Sequence, residues 1–325
     1  MSTSSPLQYR TIQTLQAEKG TSKAYLVRLL VKNIDEKLSK AQQTYFAVTL
    51  SDKTGQFIFC CFQDHPIYTL IKGLKNGAVL EAHCAPDTYN NQFSPRIQFA
   101  TVLDGTDPIV IDALIEVPKE PISDLWAELT KTVNLEIKDV DYKAFLNTLI
   151  FKLKDQFQKH PAGRTMHHAY HGGLLEHTVH MLRVALRIVD VYPSVNKDIA
   201  LAGIVVHDLG KIREYDFNYA AERNQEGEFL GHVVLGIKIL AEAQTLYALP
   251  KDKLLALEHI VAAHMLNAEW GAATKPCTPE AIFVSMVDNL DAKMAMVEST
   301  FQHTVPGTFG NYTKGLGTCL WRNPV

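Results

Sequence analysis

The chain has 325 residues, 46% of them hydrophobic and 21% charged, which is enough for two domains with separate cores and too apolar for wholesale disorder. A formal net charge of −3 excludes a strongly basic nucleic-acid coat but is compatible with a local basic groove. Five cysteines (Cys60, Cys61, Cys84, Cys277 and Cys319) form an odd set without C-x-x-C spacing, which argues against a disulfide framework or thiolate zinc site and fits a reducing cytoplasm.

The opening MSTSSPLQYR lacks the apolar stretch of a signal peptide, and no segment has membrane-span length, so no membrane partner is expected. From Ala24 to Val102 the residues read as strands: AYLVRLLV, TYFAVTLS, QFIFCCFQ, AVLEAHCA and RIQFATVL. Asp52-Lys53-Thr54-Gly55 joins the second to the third as a hairpin, and Asn90-Asn91 marks a turn before the fifth. PIYTLIKGLKNG, between the third and fourth, reads as a short helix ended by glycine. This order is that of an all-β OB-type barrel over residues 1–103, with another small β-domain as the alternative. Arg28, Lys32, Tyr45, Phe57, Phe59, Phe93 and Arg96 are its candidate stacking faces and phosphate contacts for a single strand, a set in which some members belong to the core.

Residues 104–121, DGTDPIVIDALIEVPKEP, suit a linker or a surface-hugging connection. Beyond it the apolar spacing is helical, as in LLEHTVHMLRVALRIV, so residues 122–303 form an all-α domain. The tail 304–325 is too rich in glycine for regular structure and is expected to pack back on the body.

Most of the 13 histidines lie between His160 and His264, inside the helical domain. The sharpest element is IALAGIVVHDLGKIREY, an apolar helix that ends in His207-Asp208, with Gly210 at the expected C-cap and Lys211 just past it. Neighbouring residues on a helix diverge by about 100°. Both therefore reach one metal only near a helix end, or with the carboxylate bridging two ions. His177, His232, His264 and Asp288 sit on four further predicted helices and complete a nitrogen and oxygen donor set. Such a set favours Mn, Fe, Co, Ni or Zn over an all-oxygen Mg or Ca cage. Two ions roughly 3.5–4 Å apart clamp a phosphoryl group and activate a water, and Lys211 is placed to meet a phosphate oxygen in the transition state. Asp288 is preferred to Asp291, which lies one helical turn further on and either shares its face or is an i,i+3 surface partner of a lysine. His167, His168 and His171, in RTMHHAYHGG, are either a solvated loop or, with Arg164, a cationic lip for substrate phosphates.

The series His177, His207-Asp208, His232, His264, Asp288 resembles the HD superfamily. The motifs beginning at Phe157 and Pro161, His167 through Thr178, His207 through Tyr215 and Asp288 through Lys293 are similar to those of the bacterial YhaM-type 3′-to-5′ exoribonucleases. The resemblance implies a manganese-type enzyme that shortens single-stranded RNA, with single-stranded DNA a second candidate, to nucleoside monophosphates. It further implies that Asp208 bridges two metals and that Lys211 touches phosphate. The chain departs from the family's S-H-H-G at Ala263-His264-Met265-Leu266, which leaves the hold on a second metal as the point to inspect, and again at Lys314 through Cys319. Two rival readings follow from the same residues: a nucleotide or cyclic-nucleotide phosphohydrolase, and a single-strand-binding protein with a decayed site. Either monomer or homo-oligomer is compatible with the sequence.

Overall fold

Asp52 sets the geometry of the first hairpin. Its Oδ1 accepts from the Thr54 amide at 2.7 Å and hydroxyl at 2.6 Å, and its Oδ2 accepts from the Ile12 amide at 2.7 Å, at the start of helix α1 (Ile12–Ala17). In this computed structural model the described residues are 9–18, 23–39, 42–89, 92–104, 110, 114–115, 117–163, 168–217, 221–302 and 304–324. The chain forms two units, the first ending at Glu116 and the second beginning at Val117.

In the first unit, strands β1 (Tyr25–Leu38), β2 (Thr44–Asp52) and β3 (Gly55–Phe62) are followed by helix α2 (Tyr68–Lys72) and then β4 (Val79–Ala85), β5 (Thr88–Tyr89), β6 (Gln92–Phe93) and β7 (Arg96–Leu103). The main sheet has the order β3-β2-β1-β4-β7, antiparallel throughout. Five such strands with a helix after the third make an OB-type fold. A register shift between Val31 and Asn33 bends β1, so that its first half pairs with β4 and its second half with β2. The polar run after Val31 is therefore strand up to Leu38, because β2 offers it a ladder whatever its side chains. β3 alternates strictly: Phe57, Phe59 and Cys61 point inward and Ile58, Cys60 and Phe62 outward. Leu29, Val48, Leu50, Leu80 and Ile97 share the core. Val110 and Leu114 are buried against Leu30 and Val79. Asn90 and Asn91 lie outside the described residues.

The second unit is helical: α3 (Ile122–Leu135), α4 (Val140–Lys152), α5 (Lys154–Lys159), α6 (Gly173–Ile188), α7 (Lys197–Val206), α8 (Lys211–Glu214), the small hairpin β8 (Tyr215–Phe217) and β9 (Ala221–Arg223), α9 (Gln225–Ala243), α10 (Lys251–Ala263) and α11 (Pro279–Gln302). Asn196 caps α7 by accepting from the Asp198 and Ile199 amides at 3.0 and 3.2 Å. Leu174, Met181, Ile204, Val205, Ile260 and Val284 join α6, α7, α10 and α11 in one core. Among the described residues no helix is long and apolar enough to cross a membrane.

Two expectations need correction here. The glycine-rich tail forms an antiparallel hairpin, β10 (Thr308–Thr313) and β11 (Thr318–Arg322). Gly307, Gly315 and Gly317 lie in its turns, and Arg322 ties it to the end of α11 by donating to the Phe301 and Thr304 carbonyls at 2.5 and 2.6 Å. Gly210 is not a left-handed cap: its φ is −59°, and it precedes α8. It is small because a Cβ there would overlap the His232 carbonyl, so it lets α8 lie against α9.

Candidate metal centre

Four helices each bring one imidazole to Asp208. His177 lies one turn into α6, His207 and His264 cap the C-termini of α7 and α10, and His232 follows a break in α9 at Gly231 (φ +66°). His207 and His177 are fully buried, and Asp208 and His264 nearly so. Asp208 Oδ2 lies 3.4 Å from His207 Nε2 and 3.8 Å from His177 Nε2. Its Oδ1 lies 3.6 Å from His264 Nε2 and 3.8 Å from His232 Nε2. One carboxylate thus faces two pairs of imidazoles, one pair per oxygen. Asp288, half-buried on α11, adds an oxygen 3.2 Å from His177 Nε2.

The far sides of the rings explain why Nε2 points inward. His207 Nδ1 donates to the Ile204 carbonyl and His264 Nδ1 to the Val261 carbonyl, both at 2.8 Å. A carbonyl only accepts, so the hydrogen sits on Nδ1 and the lone pair on Nε2. His177 Nδ1 meets Asp291 Oδ2 at 2.7 Å, and His232 Nδ1 faces Glu214 Oε2 at 3.4 Å. These acceptors occupy the place of the outer partners that orient metal-binding histidines.

Charge is concentrated in this space. Burial alone would raise Asp208, yet Lys211 and His207 hold it well below the usual carboxylate range. Burial works against charge on His177, but hydrogen bonds to Asp288 and Asp291 lift it to about 10. Burial is likewise outweighed at Asp288, held at about 2 by His177 and His207. Asp208 Oδ1, His232 Nε2 and His264 Nε2 are buried polar atoms without a hydrogen-bond partner among the described residues. Such atoms are costly unless something binds them. Two donor groups sharing Asp208, namely His177-His207-Asp208 and Asp208-His232-His264, have ligand atoms within 4.8 Å of one another. The nitrogen and oxygen donors fit divalent transition ions.

The structure therefore brings together His177, His207, Asp208, Lys211, His232, His264 and Asp288. Other expectations come out differently. Asp291 is not a surface partner: it is buried and reaches His168, His177 and His180. His168 does not form a lip, because its ring is buried between Glu176 and Asp291. His171 is half-buried, and burial lowers its pKa, which weakens it as a cation. Arg164 and His167 lie outside the described residues. In the first unit Phe57 is core and Phe93 packs edge-on against it at 5.8 Å, so neither is an open stacking face. Tyr45 stacks at 5.0 Å on Phe62, which is exposed. The Arg28 guanidinium lies 3.9 Å from the centre of the Tyr9 ring, and Arg96 pairs with Asp87 at 3.0 Å. Glu176 and Glu214 went unrecognised in the sequence. The only signal was their place beside ligand motifs, in LLEHT and KIREY.

The HD domain family model matches residues 174–293. A second model, TraI_2, with a helicase description, matches residues 114–196, but the chain has no G-x-x-x-x-G-K-[ST] run to cradle nucleotide phosphates. No solved structure matches significantly. The chain is 32% identical over 290 residues, 87% of its length and 89% of the relative's, to the 3′-5′ exoribonuclease YhaM of Bacillus pumilus. It is 31% identical over 230 residues, 71% and 72% of the two chains, to that of Listeria monocytogenes serovar 1/2a. To that of a Geobacillus species it is 27% identical over 306 residues, 92% and 91% of the chains. With an OB-type unit, an HD unit and likeness of this extent, the chain belongs to the YhaM family of 3′-5′ exoribonucleases.

Proposed function

We propose that this chain is a metal-dependent 3′-to-5′ exoribonuclease that hydrolyses single-stranded RNA, and single-stranded DNA as a second substrate, to nucleoside monophosphates. The observation that carries the reading is Asp208, whose two oxygens each face a separate pair of imidazoles. His177, His207 and Asp288 would hold one ion together with Asp208, and His232 and His264 would hold a second with the same carboxylate. Manganese is the ion that the family resemblance implies, and the donor set admits it among the divalent transition ions. Divalent ions bound here supply Lewis-acid stabilisation of the phosphate and activation of water.

The chain's own residues do the rest. Asp208 fixes the spacing of the two donor groups, and the buried rings exclude bulk water from them. Lys211 Nζ, 2.5 Å from Asp208 Oδ2, places a cation where charge grows on the phosphate oxygens. Tyr45 and Phe62 offer an aromatic pair for stacking bases. The free cysteines fit a reducing compartment, the cytoplasm.

A 3′-labelled and a 5′-labelled RNA oligomer, and the same pair in DNA, incubated with the protein and manganese, test the reading against Asp208→Asn. Stepwise loss from the 3′ end that the variant abolishes is the expected result. Cleavage of mononucleotides alone would point to a nucleotide phosphohydrolase, and strand binding without cleavage to a decayed enzyme.

A further inference from the structure

Among the described residues, outside the four rings that face Asp208, one further histidine is buried and engaged on both sides. His168 is 5% exposed, its Nδ1 lies 2.9 Å from Glu176 Oε2 and 3.0 Å from the Tyr170 hydroxyl, and its Nε2 lies 3.0 Å from Asp291 Oδ2. The same Asp291 oxygen meets His177 Nδ1. Tyr170 also donates to Glu176.

The backbone is forced into this arrangement. His168 has φ +46°, a left-handed conformation that costs a residue with a Cβ about 1–2 kcal/mol. Its carbonyl accepts from the Ala162 amide at 3.0 Å. The start of α6 passes so close that a Cβ on Gly173 would overlap that carbonyl. Strain of this kind persists where the surroundings over-determine it, and it gathers at functional sites.

We infer that Glu176, His168 and Asp291 form a relay that fixes the ring of His177, with His168 as the positioning residue that holds Asp291 against Nδ1 so that Nε2 stays aimed at Asp208. The inference rests on the reading of His177 as a metal ligand. Asp291 comes from α11 and Glu176 from α6. A single imidazole bridges these two buried carboxylates and so locks the two helices at the height of His177. Without it the carboxylates lose their shared partner, and Asp291 is free to turn away from the ring it orients. Partners of this type are worth about 10- to 100-fold in metal affinity.

The test uses the full chain and manganese(II) alone. His168→Gly removes the ring while keeping a residue for which φ +46° is unstrained, so a backbone effect does not confuse the result. Titration should show the manganese site of His177 weakened about 10- to 100-fold, with part of the affinity returned by exogenous imidazole. In the metal-free protein the ring-nitrogen NMR signals of His177 should shift, because Nδ1 loses its fixed Asp291 partner. Glu176→Gln should show a smaller loss in the same direction, and it decides the matter alone if the glycine variant does not fold. A merely structural role predicts a lower melting temperature with manganese affinity and His177 signals unchanged and no imidazole effect; that outcome overturns the relay. Wild-type protein that bound no manganese would overturn the metal site and the relay together, whereas wild-type binding matched by the variants overturns the relay alone.

Discussion

Lys211 Nζ sits 2.5 Å from Asp208 Oδ2, one turn further along the chain, and both groups are buried. Burial opposes both charges, yet each keeps the other ionised: Lys211 is raised and Asp208 lowered. Removing one member of such a pair leaves a buried charge unmatched, at a cost of about 3–5 kcal/mol. Lys211→Met should therefore melt lower without metal, and manganese should close the gap, since the ammonium competes with a cation for the same oxygen. kcat should fall about 100- to 1,000-fold. Calorimetric titration and steady-state rates check this, and manganese affinity falling along with kcat would count against the assigned role.

Gly210 permits α8 to approach the His232 carbonyl. Gly210→Ala should cost about 1–3 kcal/mol by overpacking and displace His232. Elemental analysis of the purified variant should then find one ion lost from two, with the donor group of His177 and His207 retained.

Arg183, on α6, joins α3 and the segment before it by pairing with Glu128 and Glu120 at 2.5 Å each. Hydrogen bonds from Arg183 lower the pKa of both glutamates below the usual 4.5, against a smaller effect of burial. The folded values are depressed, so the stabilisation is present above pH 4.5 and fades as the pH falls below it. Melting curves of wild type and Arg183→Met should differ at neutral pH and converge in acid. The neutral-pH gap should shrink with salt, because all three side chains are partly exposed.

Opposite faces of the first unit should separate stability from binding. Phe57→Ala empties a core position and should cost about 3–5 kcal/mol. Phe62→Ala removes an exposed ring stacked on Tyr45, so it should spare the melting temperature and raise KM for RNA about 5- to 150-fold, the equivalent of about 1–3 kcal/mol for one stacked base. Equal effects of the two substitutions on KM would remove the stacking face from the proposal.

Where local pattern decides structure, the sequence was readable. β-branched and aromatic runs marked the strands, and the apolar run before His207-Asp208 marked a helix that ends there. The bulge at Lys32 was not visible, because it arises when β1 changes partner, an event set by distant strands. Phe57 and Phe62 look alike in a strand apolar on both faces, and only packing tells them apart. In the centre, candidate ligands could be named from type and spacing. Their supports could not: Asp291 reaches His177 across 114 positions and His168 across 123. His168 looked like a loop residue because its left-handed backbone carries no signal in a non-glycine residue.

His207 and His264 stand at helix ends, where the last turn leaves carbonyls that the helix itself does not use. Those carbonyls, of Ile204 and Val261, aim the two rings. Main chain cannot be substituted away, so these imidazoles tolerate almost any change in the side chains around them that preserves the helix. His177 and His232 lean instead on the carboxylates of Asp291 and Glu214, and a single codon can remove either. Genetic fragility is thus unevenly spread over ligands of equal chemistry, and inactivating substitutions remote from Asp208 should cluster around the two rings that depend on side chains.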